Sequence, residues 1–105
     1  MTTKRKKKSA VMQFLERRAG RLTFGRLLEA IRVGDEISQA EFARMLGISR
    51  SHLCDIERGR KSVSITRAVK FAKTLGYPKD QFVRLALQAM VTEAGLSLHV
   101  TVEAA

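Results

Sequence analysis

Between Ser38 and Gly59 the chain carries two helix starts separated by one glycine stop, in the run Ser-Gln-Ala-Glu-Phe-Ala-Arg-Met-Leu-Gly-Ile-Ser-Arg-Ser-His-Leu-Cys-Asp-Ile-Glu-Arg-Gly. Few architectures accommodate that pattern. Ser38, with Glu41 three residues on, forms a capping box in which each side chain reaches the other's orphan backbone N–H. Phe42, Ala43 and Leu46 then recur at helical spacing. Gly47 supplies the positive φ that ends a helix at low cost. Ile48 is an apolar plug and Ser49 a second N-cap. Leu53 and Ile56 line the inner side of the second helix, and Gly59 closes it. Two short helices joined by a three- to four-residue turn containing glycine make a helix-turn-helix unit.

The flanking segments supply what such a unit needs to pack against. Thr23 to Val33 reads as a helix with Leu27, Leu28 and Ile31 inward, followed by a Gly34-Asp35-Glu36 turn. Beyond the basic loop at Arg60 and Lys61, Ser64 caps a helix in which Ile65, Ala68, Val69, Ala72 and Leu75 repeat at helical spacing. Gly76-Tyr77-Pro78 breaks it, and Lys79 to Ala94 forms the last helix. That helix has two apolar faces, Phe82-Leu85-Ala86-Ala89 and Val83-Leu87-Met90-Val91-Ala94. A surface helix of a small monomer needs only one, so the second implies a partner, most simply the same helix of another copy. Leu96 to Glu103 alternates apolar and polar and reads as a half-buried strand. One strand cannot satisfy its own backbone, so pairing with its copy is expected. Val83, Leu87, Met90, Val91, Leu96, Leu98, Val100 and Val102 are the expected dimer interface. Upstream, Ser9 to Ala19 reads as an amphipathic helix with Val11, Phe14 and Leu15 on one face. The expected divisions are a disordered basic arm over 1–8, that helix over 9–22, the helix-turn-helix domain over 23–88, and the helix end with a dimerisation strand over 89–105.

Charge points to the partner. The formal net charge is +10, and residues 1–26 hold nine Lys or Arg against one Glu, whereas residues 79–105 hold two basic and three acidic residues. A basic front and a nearly neutral back suit an anionic polymer on one side and protein on the other. No apolar run approaches the ~20 residues a bilayer helix needs, and the basic start is followed by no signal-peptide pattern. A single cysteine excludes an internal disulfide and fits a reducing compartment, so a cytoplasmic location is expected and no membrane partner.

The string Ile37 to Gly59, with flanking helices in register from about Leu27 to Leu87, resembles the Xre/Cro family of phage-repressor-like DNA-binding domains. The resemblance implies an all-α, five-helix repressor-like domain, here with an extra N-terminal helix and a C-terminal β-strand for dimerisation. It implies that the Ser49–Arg58 helix enters a major groove, with Arg50, Ser51 and Asp55 facing base edges. An arginine there can be bidentate to guanine, and an aspartate can accept from cytosine N4. Cys54, where the family commonly has a polar or small residue, is placed to touch a thymine methyl. Gln39, Ser49, Arg60 and Lys61 fall at phosphate-holding positions, and the family's first-helix arginine and Ile-Glu-x-Gly glutamate correspond to Arg32 and Glu57, a structural ion pair. The arm residues Lys4, Arg5, Lys6, Lys7 and Lys8 lie outside the shared core, and their composition alone suggests further phosphate contacts.

Other chemistry finds little support. His52 and Cys54 with His99 fall short of the four N/S ligands of structural zinc, so neither metal nor cofactor is expected. Asp55 and Glu57, two apart on a helix, point in different directions, and no catalytic constellation stands out, so the chain is not expected to be an enzyme. Phe14, Phe24, Phe42, Phe71 and Phe82 occupy mostly apolar helical positions and read as core rather than as a stacking platform for single strands. The expectation is a homodimeric, sequence-specific regulator of double-stranded DNA, a repressor reading a palindromic operator. The alternative is an antitoxin that holds a small toxin protein and autoregulates its operon.

Overall fold

Five helices make up the regular structure of residues 22–105, the part described by the computed structural model. The expected basic arm and most of the amphipathic helix over 9–22 lie outside these residues. Leu22, the last residue of that segment, packs half-buried against the core.

Helix α1 spans Phe24–Gly34, α2 Gln39–Leu46, α3 Arg50–Glu57, α4 Ile65–Leu75 and α5 Lys79–Glu93. Four of them start on a hydroxyl. Thr23 accepts from the Arg26 N–H, Ser38 from Glu41, Ser49 from His52 and Ser64 from Arg67, at 3.2, 3.2, 3.0 and 3.1 Å. Each satisfies one donor that the first turn leaves orphaned. α5 starts differently: Pro78 precedes it without a side-chain cap, and Asp80 sits in its first turn, where a negative charge complements the macrodipole.

All five helices stop in the same way; after α1, Glu36 donates to Val33 and Ile37 to Arg32, and after α5, Gly95 donates to Thr92 and Leu96 to Val91. After α2, the Gly47 N–H donates to Arg44 and the Ile48 N–H to Ala43; after α4, Gly76 donates to Lys73 and Tyr77 to Ala72. After α3, Gly59 donates to Ile56 and Arg60 to Asp55. This paired pattern is the Schellman motif, and it needs a left-handed residue at the turn. Gly47, Gly76 and Gly59 have φ of 73°, 75° and 75°.

The core is one cluster fed by every helix. Phe24, Leu27, Leu28 and Ile31 of α1 meet Phe42, Leu46, Leu53 and Ile56 of the reading pair, and Ala68, Phe71, Ala72, Leu75, Phe82, Leu85 and Ala86 of the last two helices. The Phe24 ring stands edge-on to Phe82 at 5.7 Å and tilts against Phe71 at 6.3 Å, arrangements that aromatic quadrupoles favour. Tyr77 tilts against Phe82, and burial pushes its hydroxyl up to about 12. In α4 the expected Ala68, Ala72, Leu75 and Phe71 are buried, but Ile65, at the start of the helix, is 42% exposed.

The expected C-terminal strand does not form: among the described residues there is no strand. A ladder needs a neighbouring backbone, and among the described residues no other extended segment offers one. A side chain meets the tail instead. The Gln88 carboxamide donates to the Leu98 carbonyl at 2.9 Å and accepts from the Val100 N–H at 2.8 Å. Period-2 patterning survives as partial burial of Val100 and Val102, while Leu96 and Leu98 are 51% and 61% exposed. No helix among the described residues is long and apolar enough to cross a membrane.

Candidate nucleic-acid interface

The two helices of the reading pair are fixed to α1 through one carboxylate. Glu57, at the end of α3, has a side chain only 2% exposed. Arg32 grips it with one edge of its guanidinium, Nε donating to Oε2 at 2.8 Å and Nη2 to Oε1 at 3.1 Å. Gln39, the first residue of α2, donates to the same Oε1 at 3.1 Å, and Arg32 Nη1 donates to the Ile37 carbonyl at 3.2 Å. The hydrogen bond to Glu57 raises the Arg32 pKa above its ordinary value, against an opposing effect of burial. These hydrogen bonds tie α1, the turn before α2, α2 and α3 into one arrangement.

That arrangement presents a shallow depression lined by Gln39, Arg50, Ser51, Cys54, Asp55 and Arg60. Arg50 and Ser51 are exposed on the first turn of α3, and Cys54 and Asp55 are half-buried one turn later. Arg50 stacks with Cys54, and Ser51 with Cys54 and Asp55, because residues three or four apart are neighbours along a helix. Ser49 spends its oxygen lone pair on the His52 N–H, and its hydroxyl hydrogen is left for an anion. Gln39 is directed inward, onto Glu57. Asp55 is paired with the loop that follows α3: Arg60 Nε donates to Oδ1 at 3.0 Å, and Lys61 Nζ lies 3.8 Å from Oδ2. Lys4, Arg5, Lys6, Lys7 and Lys8 lie outside the described residues. No group of three or more His, Cys, Asp or Glu among the described residues could hold a metal ion.

The structure separates the residues expected to form one dimer interface. Val83, Leu87 and Val91 are half-buried and Met90 is 52% exposed. The tail is fastened to Gln88, on the α5 side that Gln81, Arg84, Gln88 and Thr92 share. At about 100° per residue, Val83, Leu87 and Met90 lie roughly half a turn from that side.

A helix-turn-helix family model matches residues 28–82, more than half of the chain and the whole of the reading pair. The chain belongs to this Xre/Cro-like family. Its members are DNA-binding transcription regulators, and the all-helical fold agrees with that assignment. The control protein C.BamHI of Bacillus amyloliquefaciens is 39% identical over 62 residues, 57% of this chain and 76% of that protein. The crystal structure of the restriction-modification controller protein C.AhdI from Aeromonas hydrophila matches with a TM-score of 0.50 at 30% identity, over 56% of this chain and 86% of that one.

Two features of the site were not visible in the sequence reading. Gly25, in the buried face of α1, lies against the backbone of Ile56 and Glu57, and nothing local marks it. Arg60 lines the same depression as Arg50 and Ser51. The Schellman stop at Gly59 was the available signal, since it returns the next residue toward the helix it ends.

Proposed function

We propose that the protein is a homodimeric, sequence-specific repressor of controller type. Its α3 helices enter successive major grooves of a palindromic operator, with half-sites about 34 Å apart. The observation that carries this reading is the exposed first turn of α3. Arg50 and Ser51 project from a helix N-terminus whose angle is fixed by the Arg32–Glu57 pair. Its orphan N–H groups favour nearby phosphate, and the arginine fork suits guanine O6/N7. Similarity to two controller proteins supports a role at the promoter of a restriction-modification gene cluster. Neighbouring methyltransferase and endonuclease genes would agree with that, whereas a small toxin gene would favour the antitoxin reading.

Selection of bound sequences from random duplex DNA tests DNA reading directly. Arg50→Ala is expected to lose about 1–3 kcal/mol of discrimination at one base pair of each half-site while other positions keep theirs. Uniform weakening across all sequences would instead make Arg50 a phosphate contact.

The homodimer rests on the second apolar face of α5 and the near-neutral charge of residues 79–105, which lets two basic molecules approach there. Met90, the most exposed large apolar residue of that face, is the residue to change. Met90→Glu should shift the sedimentation mass from dimer toward monomer and weaken operator binding, because a single reading unit forfeits half of the contacts. Leu98→Glu, on the other side of α5, should leave the mass unchanged. The reverse pattern would place the contact on the tail.

A further inference from the structure

We propose that Asp55 is a positioning residue which holds Arg60 over the reading face, and that Arg60, so held, reads a base. This rests on the DNA-reading role of α3 proposed above and assigns the residues differently from the family pattern, in which Asp55 reads and Arg60 holds a phosphate.

The stop at the end of α3 brings the two side chains together. A Schellman motif places the residue after the left-handed turn beside the one four positions before that turn, usually in an apolar contact. After α2 the pair is Ile48 and Ala43, and after α4 it is Tyr77 and Ala72, with Ile48 and Tyr77 packed on the core. After α3 the same two positions hold Arg60 and Asp55. Here the Arg60 N–H donates to the Asp55 carbonyl at 2.8 Å, and the contact is ionic, Nε to Oδ1 at 3.0 Å. The main chain has therefore already fixed the start of the Arg60 side chain, so little conformational entropy remains to be lost in holding its head.

The held head points along α3. Nη2 lies 3.9 Å from Cys54 Sγ, one turn beyond Arg50. Arg60 lines the depression with Arg50 and Ser51, and Lys61 does not. With Nε engaged by Asp55, the Nη donors remain, the edge that can span two acceptors of a guanine. Asp55 is poorly placed to read by itself, because cations face both of its oxygens. An unpaired carboxylate on this face would also repel the phosphates that flank a groove.

The test uses the full chain and the duplex found by selection, with every base pair of one half-site changed in turn. Binding is measured for Arg60→Ala, Asp55→Ala, Asp55→Asn, Lys61→Ala and the Asp55→Ala/Arg60→Ala double variant. Arg60→Ala and Asp55→Ala should each relax preference at the same base pair, by roughly 5- to 150-fold. The double variant should relax it no further, the non-additivity expected of residues acting as one unit. Asp55→Asn, which keeps an acceptor for Nε, should retain most of the preference. Lys61→Ala should weaken all sequences alike and lower the salt slope by about 1. Uniform weakening by Arg60→Ala overturns base reading, and relaxation by Asp55→Ala at a different base pair overturns positioning. A parent protein without preference among duplexes overturns the regulator reading, and this assignment with it. Matching thermal melts of the variants, all changed at partly exposed positions, exclude unfolding as the cause.

Discussion

Glu57→Ala is expected to lower the unfolding free energy by about 3 kcal/mol, the low end of the cost of breaking a buried ion pair. The low end applies because the Arg32 side chain is 15% exposed and water can recover part of its charge. Three side-chain donors lose their acceptor together: Nε and Nη2 of Arg32 and the Gln39 amide. Glu29, one turn back on α1, also favours the Arg32 charge, but Arg32 and Gln39 make their carboxylate hydrogen bonds to Glu57. A paired Arg32→Met/Glu57→Met substitution separates the charge left behind from the lost packing, since an apolar pair of similar volume is often tolerated. It should recover most of the loss in urea unfolding while still weakening DNA binding, because Gln39 loses its anchor and α2 its link to α3. If Glu57→Ala unfolds within 1 kcal/mol of the parent, the pair does not hold the reading unit in place.

How much of this was legible follows from the range of each interaction. Ser38, Ser49 and Ser64 cap because a hydroxyl three residues before an N–H is local chemistry, and the stops at Gly47, Gly59 and Gly76 are equally local. The reading pair was therefore visible in twenty-two consecutive residues. The Arg32–Glu57 pair came from family resemblance; no local rule joins residues twenty-five apart. Longer-range features misled the reading. Alternation in Leu96–Glu103 shows which side chains share a face and says nothing of what meets the backbone, so the Gln88 carboxamide was missed and a strand expected. Periodicity admitted Ile65 to the α4 core, where it is 42% exposed, whereas Phe71, read as core from its aromatic character, is buried. At the site, the family resemblance grouped Asp55 with Arg50 and Ser51, and its pairing with Arg60 depends on the turn between them.

Gly25→Ala should destabilise the protein by on the order of 3 kcal/mol, although alanine is the better helix former by up to about 1 kcal/mol. A Cβ at Gly25 would collide with the Ile56 carbonyl oxygen and stand 2.9 Å from that of Glu57. Both are main-chain atoms of the last turn of α3, so no side chain can swing aside, and the two helices must separate. Gly34, in the same helix, is the control. A Cβ there meets nothing within 4 Å, so Gly34→Ala should be neutral or slightly stabilising in the same thermal melts. Function should suffer in Gly25→Ala even where the protein remains folded. Arg50 lies seven residues from Glu57, about 10 Å along α3, so a tilt of roughly 10° at one end moves the other by nearly 2 Å. A base-reading constellation tolerates only about 0.5 Å. Below its melting temperature the variant should therefore lose preference among duplex sequences while retaining salt-sensitive binding to DNA in general. Preserved preference would mean that α3 is oriented by the Arg32–Glu57 pair alone, with the contact at Gly25 serving stability only.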